Sequence, residues 1–224
     1  MPRRAVSELA RCLPATLPCA PLALVVTLAL MVVSTLGSGV AQAAEFTVRN
    51  NADSGPGSLR QAVSDANAAG SGSHTITIAE GLGTITLTGA QIDITRKMTI
   101  VGPATGQTID GDKANRFGRI FGVTETVAVT LENLTLTNAE TTADREDLPR
   151  GYDCSDSTGW GGAVCAEGDL TLTNSTVSGN ATQGRFAAGG GILSFGIITL
   201  TNSTPSGNFT QGELAQGGWR DNHV

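Results

Sequence analysis

The feature that most constrains this chain is an internal repeat. Leu170-Thr-Leu-Thr-Asn-Ser-Thr-Val-Ser-Gly-Asn180 returns as Ile198-Thr-Leu-Thr-Asn-Ser-Thr-Pro-Ser-Gly-Asn208, with nine of eleven positions identical at a spacing of 28. The register holds on both sides. Thr182-Gln-Gly184 matches Thr210-Gln-Gly212, and Gly161-Gly-Ala-Val164 matches Gly189-Gly-Gly-Ile192. A degenerate earlier copy is Asn133-Leu-Thr-Leu-Thr-Asn138. A fixed period of this length means stacked units, none of which can bury its apolar face alone.

Within each unit apolar residues alternate with Thr, as at Leu170/Leu172 against Thr171/Thr173. The same pattern runs through Ile76/Ile78, Ile92/Ile94, Met98/Ile100 and Val127/Val129/Leu131. Period two places the two sets on opposite faces of a strand. The strands are short and are separated by Gly, Asn, Asp or Ser. They are expected to stack as coils of a solenoid, about 4.8 Å apart, with parallel pairing between equivalents. The 29 Gly and 29 Thr agree with strands and tight turns and exclude a helical bundle. A net charge of −6 gives no basic stripe, so no nucleic-acid partner is expected.

Asn138, Asn174 and Asn202 each follow a Leu-Thr-Leu-Thr-like strand and are expected to form a ladder at one corner, since Asn tolerates a left-handed backbone. Asn174, Asn180, Asn202 and Asn208 also fit the glycan-acceptor sequon, which a Ser/Thr-rich repeat generates without a glycan being needed.

The chain begins with Arg3, Arg4 and Arg11, an apolar run over 22–33 and Ala41-Gln-Ala43. This is the pattern of a signal peptide over 1–43, so export is expected, secreted or to the cell surface. No later segment is long and apolar enough to span a membrane. Residues 44–73 read as an N-terminal cap, a strand followed by a short helix over 58–67. Ser58-Leu-Arg-Gln61 has the form of a capping box, and Leu59, Val63 and Ala66 share one helical face. Residues 74–224 read as strand coils, with an acidic insert at about 141–159. His74 is expected to be exposed. The repeat stops short of a further apolar–Thr strand, so the chain reads as a truncated form whose last coil is open to end-to-end self-association.

Phe46-Thr-Val-Arg-Asn-Asn-Ala-Asp-Ser-Gly-Pro-Gly-Ser-Leu-Arg-Gln-Ala-Val-Ser-Asp-Ala-Asn67 resembles the start of secreted bacterial β-helix proteins of the CSLREA type, with Gly57 and Gln61 where that motif has Cys and Glu. Met98-Thr-Ile-Val-Gly-Pro103, Thr108-Ile-Asp-Gly111 and Arg116-Phe-Gly-Arg-Ile-Phe121 resemble later coils of the same proteins. The Gly-Gly-Ala-Val and Gly-Gly-Gly-Ile segments resemble repeats of polymorphic outer-membrane proteins. The resemblance implies an all-β fold, a right-handed parallel β-helix with a short N-terminal capping helix, on a surface protein of unassigned activity.

Lyases of that architecture use Asp-held Ca²⁺ and an Arg or Lys base. The nearest set here is Asp110 and Asp112 with Arg116 and Arg119, although Asp-Gly-Asp is also ordinary turn chemistry. No Ser-His-Asp set, zinc spacing or phosphate loop is present in the sequence. The insert carries Asp144, Glu146, Asp147, Asp153 and Asp156, which read as a solvated acidic loop or a Ca²⁺ site. Cys154 and Cys165, the only cysteines after residue 43, are expected to form a disulfide. No other cofactor is expected. Thr135/Thr137, Thr171/Thr173 and Thr199/Thr201 would stack into an array of the kind that binds ice. The first expectation is a non-catalytic surface module acting in adhesion or as a structural element, with an unidentified surface or extracellular ligand for which carbohydrate is a candidate. A carbohydrate-active enzyme or binding module is the alternative, and ice binding a minor one.

Overall fold

Alternating apolar and hydroxyl residues form short strands here because residues at positive φ end them. Asn133, Asn138, Asn174 and Asn202 lie at φ of 55°, 57°, 48° and 49°. In the computed structural model, which describes residues 42–116, 118–143, 154–155 and 159–212, the chain runs β1 (Glu45–Val48), α1 (Leu59–Ala68), β2 (His74–Ile78), β3 (Ile85–Thr86), β4 (Ile92–Ile94) and β5 (Met98–Val101). It continues through β6 (Gln107–Asp110), β7 (Phe121–Val123), β8 (Val129–Glu132), β9 (Leu134–Thr137), β10 (Glu140–Ala143) and β11 (Val164–Ala166). The last strands are β12 (Leu170–Thr173), β13 (Thr176–Ser178), β14 (Ala181–Gly184), β15 (Ile192–Ser194), β16 (Ile198–Thr201), β17 (Thr204–Ser206) and β18 (Phe209–Gln211).

These strands form four sheets, in the orders β1-β2-β5-β8-β12-β16, β3-β6-β9-β13-β17, β4-β7-β11-β15 and β10-β14-β18. Every pairing between them is parallel. The expected right-handed parallel β-helix is therefore corrected to an all-β arrangement of four separate parallel sheets and one short helix, in place of one continuous solenoid. The physical reason lies at the corners. After β8, β9, β12 and β16 a left-handed Asn turns the chain out of one sheet and into another, so each sheet keeps its own hydrogen bonding.

Residues 28 apart lie side by side late in the chain, with Leu170 beside Ile198 and Leu172 beside Leu200. The earlier copy is placed otherwise. Leu170–Thr173 lies beside Val129–Glu132, while Leu134–Thr137 belongs to another sheet and aligns with Thr176–Ser178. An apolar–Thr alternation satisfies either sheet, so likeness between the two Leu-Thr-Leu-Thr strings does not fix which strands meet.

The inward residues, among them Ile76, Ile100, Leu131, Leu136 and Leu172, form one buried core. Gly162 and Gly190 permit neighbouring backbones to meet. A Cβ on Gly162 would strike the carbonyl oxygens of Gly190 and Ala181, and one on Gly190 would strike that of Phe209. Helix α1 buries Leu59, Ala62, Val63 and Ala66 and packs against β1, β2 and β4. Its cap is half of the expected box. The Gln61 N–H donates to Ser58 Oγ at 3.2 Å, but the Gln61 amide donates to Asp65 Oδ1 at 2.7 Å, and the Ser58 N–H goes to the Gly55 carbonyl.

Candidate functional site

The four residues expected to offer acid–base chemistry are built into the scaffold. Asp110 Oδ1 accepts from the Asp112 N–H and from the Asn138 amide, both at 2.7 Å. This is the side-chain bonding of a tight turn, completed by Asp112 at φ 52°. The Asp112 carboxylate accepts from Asn115 at 2.8 Å. Arg116 is buried, donating from Nε to the Gly111 carbonyl and from a terminal nitrogen to the Arg119 carbonyl. Burial pushes its guanidinium below the ordinary arginine range. Arg60 adds to that shift, and Asp53 and Asp112 oppose it. Arg119 is fully buried and donates to the Cys154 carbonyl at 2.9 Å. These side chains hold a corner; they do not converge on a cleft.

Arg119 leads to the disulfide. Cys154 and Cys165 are bonded, with Cα atoms 5.4 Å apart and both residues buried. Gln91 donates to the carbonyls of Cys154 and Ser155, and the Cys154 N–H donates to Glu167. Cys154, Cys165, Trp160 and Leu193 make a second apolar cluster. Asp144, Glu146, Asp147, Asp153 and Asp156 lie outside the described residues, and with them the expected Ca²⁺ loop. Among the described residues no three His, Cys, Asp or Glu side chains gather to hold a metal ion.

The corner ladder is corrected in membership. Asn174 donates to Asn133, and Asn202 to Asn174, each at 3.3 Å. Asn138 stands at a different corner with Asp110. A second, more deeply set pair went unread in the sequence. Asn180, fully buried, accepts from the Ala139 N–H and donates to the Leu136 carbonyl and to Asn208 Oδ1. Its spacing of 28 from Asn208 was the available signal. A buried Asn180 is a poor glycan acceptor in the folded chain. His74 is likewise corrected from exposed to buried, because β2 turns it inward. The Ala44 N–H points at His74 Nδ1, Nε2 faces the Gly70 carbonyl, and Phe46 lies edge-on at 6.2 Å. The Asp53–Arg60 pair, at 2.7 Å, also went unread; Asp53 Oδ2 accepts from the Gly89 N–H as well.

The outer face of the six-stranded sheet is the most regular surface described. Thr75, Thr99, Thr130, Thr171 and Thr199 occupy one register position on five adjacent strands. The next outward position reads Thr47, Thr77, Val101, Glu132, Thr173 and Thr201. Thr135/Thr137 belong to the five-stranded sheet, so the expected three-pair array is corrected to these two rows. A separate depression of about 270 Å³ lies between the loops at 81–84 and 103–108, and no titratable side chain lines it. Its Gln107 amide is spent on the Gly83 and Thr108 carbonyls.

No protein-family model matches this chain, and no curated protein matches it. The resemblance to CSLREA-type and polymorphic outer-membrane proteins is therefore withdrawn. The Gly-Gly motifs that carried part of it answer a local need, the close backbone approach at Gly162 and Gly190. The described residues include no helix long and apolar enough to cross a membrane.

Proposed function

We propose that this chain works outside the cell as a non-catalytic surface module, in adhesion or as a structural element, through the Thr-faced six-stranded sheet. The observation that carries this reading is the row of five Thr at one register position. Hydroxyls are both donors and acceptors, and a repeating row of them suits a hydroxyl-rich ligand such as a polysaccharide. The candidate acid–base residues support it from the other side, because Asp110, Asp112, Arg116 and Arg119 each make hydrogen bonds that hold turns and corners. The N-terminal leader pattern and the buried disulfide favour export to an oxidising compartment.

The test is a glycan array together with a polysaccharide-degradation screen on the exported full chain. Binding without product release is expected, and Thr99→Val with Thr130→Val and Thr171→Val should abolish it. Product release, or binding that survives the triple variant, would overturn the reading. The same two rows favour a second reading, recognition of the ordered water of ice. Thermal hysteresis in the unmodified chain, lost in the triple variant, would select it.

A further inference from the structure

We infer that the late edges of the sheets form a docking surface for a second copy of this chain, joined tail to tail through β16. This inference is independent of what the Thr rows bind. All four sheets end at this side in their latest strands, β15, β16, β17 and β18. In β12 the inward Leu170 and Leu172 are buried, whereas their counterparts Ile198 and Leu200 in β16 are only half-buried. Ile197 is 57% exposed and Phe209 45%. An apolar area bordered by free strand edges marks an association site.

Charge selects the occupant. The chain carries a net charge of −6, so two copies repel over most approaches, yet residues 186–212 contain no charged side chain. The carboxylate bonded at this edge is Asp169, held on the Ile197 N–H, so the strand itself offers two acidic copies an approach with little like-charge repulsion. Backbone geometry selects the strand. The Leu170 and Asn174 N–H groups donate to the Ile197 and Thr201 carbonyls, so alternation turns the peptide groups of Ile198 and Leu200 away from β12. In β17 the Thr204 N–H bonds back to Ser175, so the outward position falls to Pro205, which has no N–H. Pro205 blunts that edge, and among the described residues β16 has no strand beyond it.

The opposite end of the sheets selects the symmetry. There α1 presents exposed Ser64 and Asp65, so among the described residues a head-to-tail contact would set the apolar late edge against polar side chains. A two-fold contact pairs β16 antiparallel with itself, Thr199 against Thr199 and Ile198 against Leu200, with apolar residues on one face. Such an interface closes at two copies.

Sedimentation velocity on the full chain over a concentration series tests this. A monomer–dimer equilibrium is expected, unweakened by salt because the edge is uncharged. Thr199→Lys, exposed and on the two-fold, sets each new charge against its mate and should raise the dissociation constant at least tenfold; Ile197→Glu, also exposed, should do so by placing a carboxylate in the apolar border opposite Thr201 of the second copy. Ser64→Lys on α1 should leave it unchanged. Thermal melts of the variants under dissociating conditions show that the fold is intact. A chain monomeric at every concentration, a species growing beyond two copies, or a dimer that survives both edge variants would overturn the inference.

Discussion

At the early edge of the sheets, α1 lies against β1, β2 and β4, and Leu59, Val63 and Ala66 are buried. At the late edge, the equivalent inward positions of β16 stay half-buried and Ile197 and Phe209 face solvent. Both edges belong to sheets with the same apolar–Thr alternation, so the difference does not come from the strands. It comes from what the sequence supplies beside them. Asp53 accepts from Arg60 and the Gly89 N–H, and Asn67 binds the Asp93 carbonyl and the Thr95 N–H, which fixes the helix at both ends. Beside β16 no described element plays that part, and the Ile197 N–H is met by the Asp169 carboxylate of the preceding layer. Stacked strands of this kind carry no closure of their own, and a separate element has to provide it.

The sharpest test is one acidic substitution made at each edge. Val63→Asp places an unpaired carboxylate under α1 and should cost about 3–5 kcal/mol, lowering Tm by on the order of 10 °C. Ile197→Asp, at a position 57% exposed, should stay within about 0.5 kcal/mol in the monomer. Equal losses in thermal melts would end the distinction between a covered and an open edge.

Next in size is the disulfide, which stabilises a cluster reaching from β11 to the late-edge strand β15. Reduction, or Cys165→Ser, should cost about 3 kcal/mol for a closed loop of this length. The loss should appear as faster amide exchange in β11 and β15, where Trp160 and Leu193 share the cysteines' cluster. β1 and β2 should be unaffected. Uniform acceleration across all four sheets would show that the cluster is not a separate unit.

The two Asn ladders should differ in the same direction as the two edges. Asn180→Ala strands the buried Ala139 N–H and Leu136 carbonyl and should cost about 1–3 kcal/mol. Asn202→Ala removes an exposed partner of Asn174 and is expected to cost a few tenths, chiefly from strain at its positive φ. Chemical denaturation of the two variants distinguishes them.

The alternation of Leu170/Leu172 with Thr171/Thr173 was legible as strand, and the helix over 58–67 was legible from its apolar spacing and cap. Two kinds of information were not. The sheet to which a strand belongs depends on corner geometry and on the length of the intervening segment, and here 28 residues separate one set of partners and 41 another. Val129–Glu132, with Glu where the repeat has Thr, is the true neighbour of Leu170–Thr173. Side-chain roles were hidden because Asp110, Arg116 and Arg119 are residue types of catalysis as well as of turns. For Asp110 and Arg119 the telling partners, Asn138 and the Cys154 carbonyl, are distant in sequence, while Arg116 is held by the nearby Gly111 and Arg119 carbonyls. His74 was misjudged because a polar residue at a strand start usually faces water, and the inward parity of β2 overrides that.

The smallest expected effect concerns how α1 is held. A full capping box predicts similar losses from Ser58→Ala and Gln61→Ala, because each residue would satisfy the other's backbone. In the structure only one direction is made. The Ser58 hydroxyl accepts the Gln61 N–H, an otherwise orphaned donor in the first helical turn, so Ser58→Ala should cost about 1 kcal/mol. The Gln61 side chain instead reaches one turn forward to the exposed Asp65, an interaction worth about 0.2–0.5 kcal/mol. Ala is the better helix former, which offsets that loss, so Gln61→Ala should be nearly neutral. Its Tm should fall within error of the unmodified chain while Ser58→Ala melts a few degrees lower. Equal losses would mean that Gln61 does turn back to the Ser58 N–H in solution, and that the early edge is closed more tightly than the structure records.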